Sequence, residues 1–318
     1  MMPSMQTREW LQFMQHEYLD SFVKEGGSVV KFAVPLGEQV RPVLAGGLGQ
    51  AALDRGYLFA LVNAEETKVH MVDHVFCKVA DQVPWQRLGR DVIVKLAAQQ
   101  GYAPPSDGDD PLFVRIANAN RVEPDIVRNE LRDSIGKQIL KHREISKDFR
   151  AAMTHLCLAE LSGGEDGATK IQVLTDWLTG RNKAIAAVKP YQIYSRINRA
   201  NARHLFESLL RWVKLTGCSG MVIILDTARF TLTRNPRDEK LYYSKAAVLD
   251  AYEVLRQFID GTDRLEGCLL VVVPDREFLD EDVLGRGVGA YQALKYRVID
   301  EIRDLRLVNP LASLVRLV

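Results

Sequence analysis

Apolar residues along the chain fall into two kinds of pattern. Five short runs are almost unbroken and rich in β-branched residues: Ser28–Pro35, Tyr57–Asn63, Met221–Asp226, Cys268–Val273 and Leu314–Val318. Runs of this length without alternation predict strands buried on both faces, as in parallel sheets. Elsewhere the apolar positions recur at helical spacing. Trp10, Phe13, Met14, Tyr18 and Phe22 do so over Thr7–Lys24, and Glu25-Gly26-Gly27 ends that helix; Val69, Val72, Val75, Phe76 and Val79 do so over Glu66–Val83, closed by Pro84. Further helices are predicted over Asp91–Gln100, from Pro124 through Leu161, over Lys170–Leu178, Ser195–Leu215, Tyr242–Ile259 and Ala290–Arg303. The acidic, turn-rich Pro104–Pro111 stretch reads as a surface loop.

Strands that alternate with helices predict an α/β fold with a five-stranded parallel sheet and right-handed crossovers. Residues 64–180 carry no strand pattern, so they read as a helical insertion into a single domain whose core is 1–63 and 181–318. At 318 residues, 47% hydrophobic and 26% charged, the composition is that of a globular protein, and a net charge of +1 gives no global attraction to nucleic acid or acidic lipid. Cys77, Cys157, Cys218 and Cys268 are far apart and lack CxxC spacing, which predicts reduced core thiols. Neither a long uncharged apolar stretch nor a signal-peptide pattern is present, and a cytoplasmic protein with no membrane partner is expected.

The first strand, the turn at Leu36-Gly37-Glu38, a helix over Val40–Arg55 and the second strand form a βαβ plan. In nucleotide-binding proteins of this plan the loop reads G-x-x-x-x-G-K-[ST]; its backbone N–H groups and Lys hold phosphates and its hydroxyl holds Mg²⁺. Here it reads Gly37-Glu-Gln-Val-Arg-Pro-Val-Leu-Ala45, with no Lys, Ser or Thr. Met221–Asp226 ends in one acid, as a central strand does when it presents a carboxylate where ligands of open α/β sheets bind.

Five stretches, Glu17-Tyr-Leu-Asp-Ser-Phe-Val-Lys-Glu-Gly-Gly-Ser-Val-Val-Lys-Phe-Ala33, Ala51-Ala-Leu-Asp-Arg-Gly-Tyr57, Asp176-Trp-Leu-Thr-Gly180, Gly217-Cys-Ser-Gly-Met-Val-Ile-Ile-Leu-Asp226 and Asn309-Pro310, occur in this order along nearly the whole chain. In them the chain resembles the P-loop ATPases of bacterial BREX anti-phage systems, in particular the BrxD-like members. The resemblance implies an AAA+/P-loop NTPase-like fold, ATP and Mg²⁺ as ligands, and work on or beside DNA among other defence-system proteins, with active AAA+ subunits among the partners of a homo- or hetero-oligomer. Aligned on that family, Val43 stands where the phosphate-binding Lys belongs, Leu44 where the Mg²⁺ hydroxyl belongs, and Thr227 where the acid that polarises water follows Asp226. The helical lid that follows the last core strand in AAA+ proteins is expected to be absent, since the sequence stops at Val318. Loss of one charge-stabilising donor costs about 10²- to 10³-fold in rate. Three missing parts therefore predict a degenerate, non-catalytic ATPase-like subunit that requires no cofactor.

The residues that could still bind a nucleotide are Gly37, Glu38, Arg41 and Asp226: Arg41 as a replacement cation at a helix N-terminus, Asp226 as a leftover Mg²⁺ carboxylate or a strand-end salt-bridge partner. Arg196, Arg199 and Arg203 fall at i, i+3 and i+7, with Arg211 further on, and on a helix would form one basic face toward DNA or a partner's phosphate. A solvated face explains the same spacing. Arg121, Arg128, Arg132, Lys137, Lys141 and Arg143 form a second, more diffuse basic stretch interrupted by acids. Arg286, in Gly285-Arg-Gly-Val-Gly289, is a candidate arginine finger. His70, His74 and Cys77 have helical metal-ligand spacing but lack a fourth ligand, so no metal is expected. Two alternatives stay beside the degenerate subunit: an ATP-binding or ATP-hydrolysing motor acting on DNA, and a nucleotide-independent DNA-binding module.

Overall fold

A computed structural model describes residues 3–182, 184–231, 233–280, 284–299 and 308–318. The chain divides into two compact units, one made of residues 1–82 and 218–318, the other of residues 83–217.

The first unit is built on five strands: β1 (Ser28–Pro35), β2 (Tyr57–Asn63), β3 (Gly220–Asp226), β4 (Cys268–Val273) and β5 (Leu314–Leu317). They lie in the order β2-β3-β4-β1-β5 and every pair is parallel. This is the α/β, P-loop NTPase-like sheet expected from the alternation of apolar runs and helical stretches. The central strand β4 has neighbours on both sides and helices over both faces, and all six of its residues are buried, which is why its sequence shows no polar alternation.

One face is covered by two helical elements. The first is α1 (Thr7–Phe13), continued by a π-helical stretch (Met14–Phe22); the second is α2 (Val40–Asp54). Trp10, Met14, Leu44, Leu48 and Ala52 interlock there with Ala33, Val222, Ile224, Leu269, Val271 and Val315. Against the opposite face Phe32 stacks on Phe278 at 5.7 Å, and Phe278 meets Tyr252 of α10 (Lys245–Asp260) at 5.8 Å. Helix α3 (Val72–Ala80) packs against β2. It is shorter than the expected Glu66–Val83, because Asn63 folds the preceding residues into a turn: its side chain accepts the Glu65 N–H and its carbonyl those of Glu66 and Thr67.

Both edges of this sheet are occupied. At β2 the Gln82 amide both accepts from the Leu61 N–H (2.9 Å) and donates to the Leu61 carbonyl (3.0 Å). Along β5, Met5 pairs in parallel with Leu317, and the Thr7 N–H reaches the Val318 carbonyl. Helix α11 (Gln292–Val298) precedes β5; the part of the expected Ala290–Arg303 helix at 300–303 lies outside the described residues.

The second unit is helical: α4 (Trp85–Gln99), α5 (Leu112–Asn120), α6 (Pro124–Ile135), α7 (Lys147–Ser162), α8 (Gly164–Leu178) and α9 (Ala202–Leu215). Helices α4 and α8 start earlier than the expected Asp91 and Lys170. Helix α4 crosses α7 closely at Gly89, where a Cβ would fall 2.5 Å from the Leu156 side chain. Beside that crossing the buried Glu160 carboxylate accepts from Arg90 (2.8 Å) and Gln86 (2.9 Å), so the one charge inside this helix pair is fully engaged.

Candidate functional site

In this strand order the chain leaves β1 for the far edge, returns through β2, β3 and β4, and passes beyond β1 to β5. Connections from β1 and β4 therefore depart in opposite directions, and the crevice at the carboxyl ends of these neighbours is the switch point at which open α/β sheets bind ligands. Register places Asp226 of β3 directly beside Val273 of β4 and Asn63 of β2, so the acid ends its strand at the mouth of this crevice.

The loop above it is short. Only Leu36 to Gln39 separate β1 from α2, and Gly37 and Glu38 are exposed within it. The Leu36 N–H is bonded to the Leu317 carbonyl and the Val40 N–H to that of Gly37. Val43 and Leu44 lie in the opening turns of α2; Val43 faces solvent, while Leu44 is 1% exposed in the core. Leu44 packs into the core and lines the cleft with an apolar surface that offers no oxygen to a metal ion.

Arg41 turns toward the strand ends. Its Nη1 donates to Asp226 Oδ1 at 2.7 Å and to the Val273 carbonyl at 3.0 Å, and Nη2 donates to the Pro274 carbonyl. A cation in the first turn of a helix opposes the helix dipole by about 0.3–1 kcal/mol. Hydrogen bonds from a charged donor contribute about 1.5–3 kcal/mol each, so the three acceptors outweigh that cost. Asp226 Oδ1 also accepts the Ala228 N–H at 3.0 Å. The carboxylate is thus a strand-end cap and an ion-pair partner at once.

A second acid stands beside this pair. Asp275, two residues past β4, accepts a hydrogen bond from Thr231 Oγ1, while its Oδ1 is buried without a partner. Burial pushes its carboxyl up to about 6; the Thr231 hydrogen bond and the Arg41 charge oppose that rise. Thr227 is buried and its N–H is bonded to the Val273 carbonyl. The cleft between α2 and the strand ends, lined by Arg41, Pro42, Leu44, Ala45, Leu61, Ile224, Asp226 and Val273, has a volume of about 170 Å³. Pockets that enclose small-molecule ligands run to about 300–1,000 Å³.

The remaining sequence candidates lie elsewhere. Arg286 is 7% exposed; its Nη1 donates to the Tyr243 carbonyl at 2.7 Å and to that of Phe230 at 3.4 Å, and its own carbonyl accepts from Tyr252. The glycine-rich loop turns this arginine inward, where it ties the loop to the chain that follows β3. The expected helix Ser195–Leu215 begins only at Ala202, because the Asn198 and Asn201 side chains bind the preceding backbone into turns. Arg203 is therefore helical, while Arg196 and Arg199 project from a loop, so the three do not form one helix face. The His70 ring packs edge-on against Tyr243 at 5.7 Å. Among the described residues no group of three or more His, Cys, Asp or Glu side chains is placed to hold a metal ion. The Cys77 and Cys268 thiols are pushed up to about 11 and about 12 by burial, which removes them as nucleophiles.

Sequence reasoning missed the Arg41–Asp226 pair, whose members are 185 positions apart, and missed Thr231 altogether. The one legible signal for Asp275 was its position directly after a buried strand and a proline.

Among the described residues no helix is long and apolar enough to cross a membrane. Residues 115–318, more than half of the chain, match the sequence model of a family described as BREX system ATP-binding protein BrxC/D. The match takes in β3, β4, β5, Asp226 and Asp275 and leaves out β1, α2 and Arg41. No curated protein and no solved structure matches the chain.

Proposed function

The chain belongs to the BREX system ATP-binding protein BrxC/D family, and on that premise we propose that it is a non-hydrolysing, ATPase-like subunit of a phage-defence assembly. The observation that carries this reading is the closure of Arg41 on Asp226 and on the carbonyls of Val273 and Pro274. In an active site of this plan a Lys meets phosphate and an acid meets Mg²⁺. Here the chain's own cation meets the acid, and each neutralises the other without nucleotide. The replacements at Val43, Leu44 and Thr227 act in the same direction. In this role the sheet is a scaffold for assembly with other defence proteins, active ATPase subunits among them. DNA contact enters through the loop that carries Arg196 and Arg199.

The test is a thermal-shift and turnover assay of the purified full chain with ATP and Mg²⁺. A bound nucleotide at a hundredfold excess over Kd stabilises by about 2.7 kcal/mol, a readily measured shift. The expected result is no shift and no phosphate release. Turnover abolished by Asp226→Asn overturns the reading. A shift without turnover that is lost in Arg41→Ala replaces it with a nucleotide-gated subunit in which Arg41 leaves Asp226 for a phosphate.

A further inference from the structure

Between Asp176 and Glu207 the sequence runs for 30 residues without an acid while carrying Arg181, Lys183, Lys189, Arg196, Arg199 and Arg203. Acids elsewhere are common, 41 in 318, which would put about four in a run of this length. A chain whose net charge is only +1 thus places five positive charges in the sequence between α8 and α9 and a sixth, Arg203, in the first turn of α9. This is where a local patch exists although bulk charge predicts none.

The connection is folded rather than slack. Val188 and Ile193 are fully buried beneath it. The Trp177 indole N–H donates to the Ser195 carbonyl at 3.0 Å, and the Ser195 N–H is bonded to Asp148 Oδ2 at 3.1 Å. The Arg196 carbonyl accepts from both Asn198 (3.1 Å) and Asn201 (2.8 Å), while Asn201 Oδ1 accepts the Asn198 N–H (2.9 Å). These bonds fix the turn that presents Arg196 and Arg199, both exposed, and among the described residues no carboxylate pairs with either. Next to them Tyr194 is 59% exposed, and Lys147 Nζ lies 5.9 Å from its ring centroid.

We propose that this loop, with Lys147, is a binding surface for single-stranded nucleic acid, in which Arg196 and Arg199 hold phosphates and Tyr194 stacks on a base. Cations that follow a backbone, interleaved with an exposed aromatic ring, are what an unpaired strand requires. A duplex keeps its base faces stacked inside and offers an exposed tyrosine nothing to stack on. With Lys147 on one side of the ring, a base on the other completes a cation–ring–base stack. The fixed turn lowers the ordering cost of binding. The inference rests on the DNA-contact part of the function proposed above and adds the form of nucleic acid recognised.

The experiment is fluorescence anisotropy of the full chain with an end-labelled, mixed-sequence DNA strand of about 20 nucleotides, and with the blunt duplex of the same sequence. Salt is varied between about 50 and 200 mM. The single strand is expected to bind more tightly. Tyr194→Ala weakens it about 5- to 100-fold and Tyr194→Phe leaves it unchanged. Arg196→Ala/Arg199→Ala lowers the slope of log affinity against log salt by about 1.4. These side chains are exposed, and an unchanged thermal midpoint verifies that the variants fold. Equal affinity for strand and duplex with no effect of Tyr194→Ala overturns this inference while leaving DNA contact standing. No binding to either probe overturns both.

Discussion

Breaking the Arg41–Asp226 closure is the most direct test of how the site is held. The two side chains are 26% and 21% exposed. They lie between surface pairs, which contribute about 0.2–1 kcal/mol, and buried pairs, whose disruption costs about 3–5 kcal/mol. Arg41→Ala removes three hydrogen bonds at once and leaves the Val273 and Pro274 carbonyls and one carboxylate to water, for an expected loss of about 2–4 kcal/mol. Asp226→Asn keeps an acceptor for the Ala228 N–H but loses the charge, and should cost less, about 1–2 kcal/mol. A double-mutant cycle by urea unfolding isolates the coupling, expected at about 1–3 kcal/mol. A coupling below about 0.5 kcal/mol would refute the reasoning, because additivity of that order marks independent sites. The pair would then be a solvent-screened contact, and Arg41 would be available to another anion.

Two further perturbations have definite signs. The Asp275 carboxyl sits at about 6 in the folded chain, above its ordinary unfolded value of about 3.9. The folded state therefore keeps a proton that the unfolded chain has released between those two values, and stability falls as pH rises through that window, by up to roughly 3 kcal/mol. Asp275→Asn, which retains an acceptor for Thr231, should raise the melting midpoint at about pH 7.5 and flatten its change between about pH 4 and 6; an unaltered pH profile would contradict this. Gly220 opens β3 with φ +145°, and a Cβ there would fall 2.2 Å from the Gly267 carbonyl oxygen. Gly220→Ala should cost about 2–4 kcal/mol or prevent folding, read as a lowered thermal midpoint, whereas Gly46→Ala, which meets no atom within 4 Å, should not lower it.

How much of this was legible depended on whether the cause was local. β3 and β4 could be read because burial on both faces leaves no place for polar residues, β1 and β2 because their apolar runs are nearly unbroken, and Asp226 stood out as the first acid after such a run. The start of α9 was read too early because apolar and basic spacing continues through residues 195–201, while two asparagine side chains divert the backbone. Arg286 is a finger candidate only by its place in a glycine-rich loop, and glycine permits an inward turn as readily as an outward one. The core of the site, Arg41 with Asp226, Val273 and Pro274, joins the start of α2 to the ends of β3 and β4, segments distant in sequence. No periodicity or spacing encodes such a meeting; only the strand order β2-β3-β4-β1-β5 brings the parts together.

The Gln82 amide on the border of β2 also restricts how the protein can associate. A strand arriving from another molecule would need the N–H and carbonyl of Leu61, already taken, and the Asn63 carbonyl is bonded to Glu66 and Thr67. What remains open along β2, from Tyr57 to Ala60, is shorter than the five or six residues of an ordinary strand. At the opposite border Met5 already fills that place against Leu317. The sheet cannot be extended by a neighbour without first unzipping something, so growth into a continuous intermolecular ribbon is blocked at both ends. Any protein that docks on this unit would have to use its helices and loops, whose side chains can distinguish one partner from another in a way that bare backbone cannot.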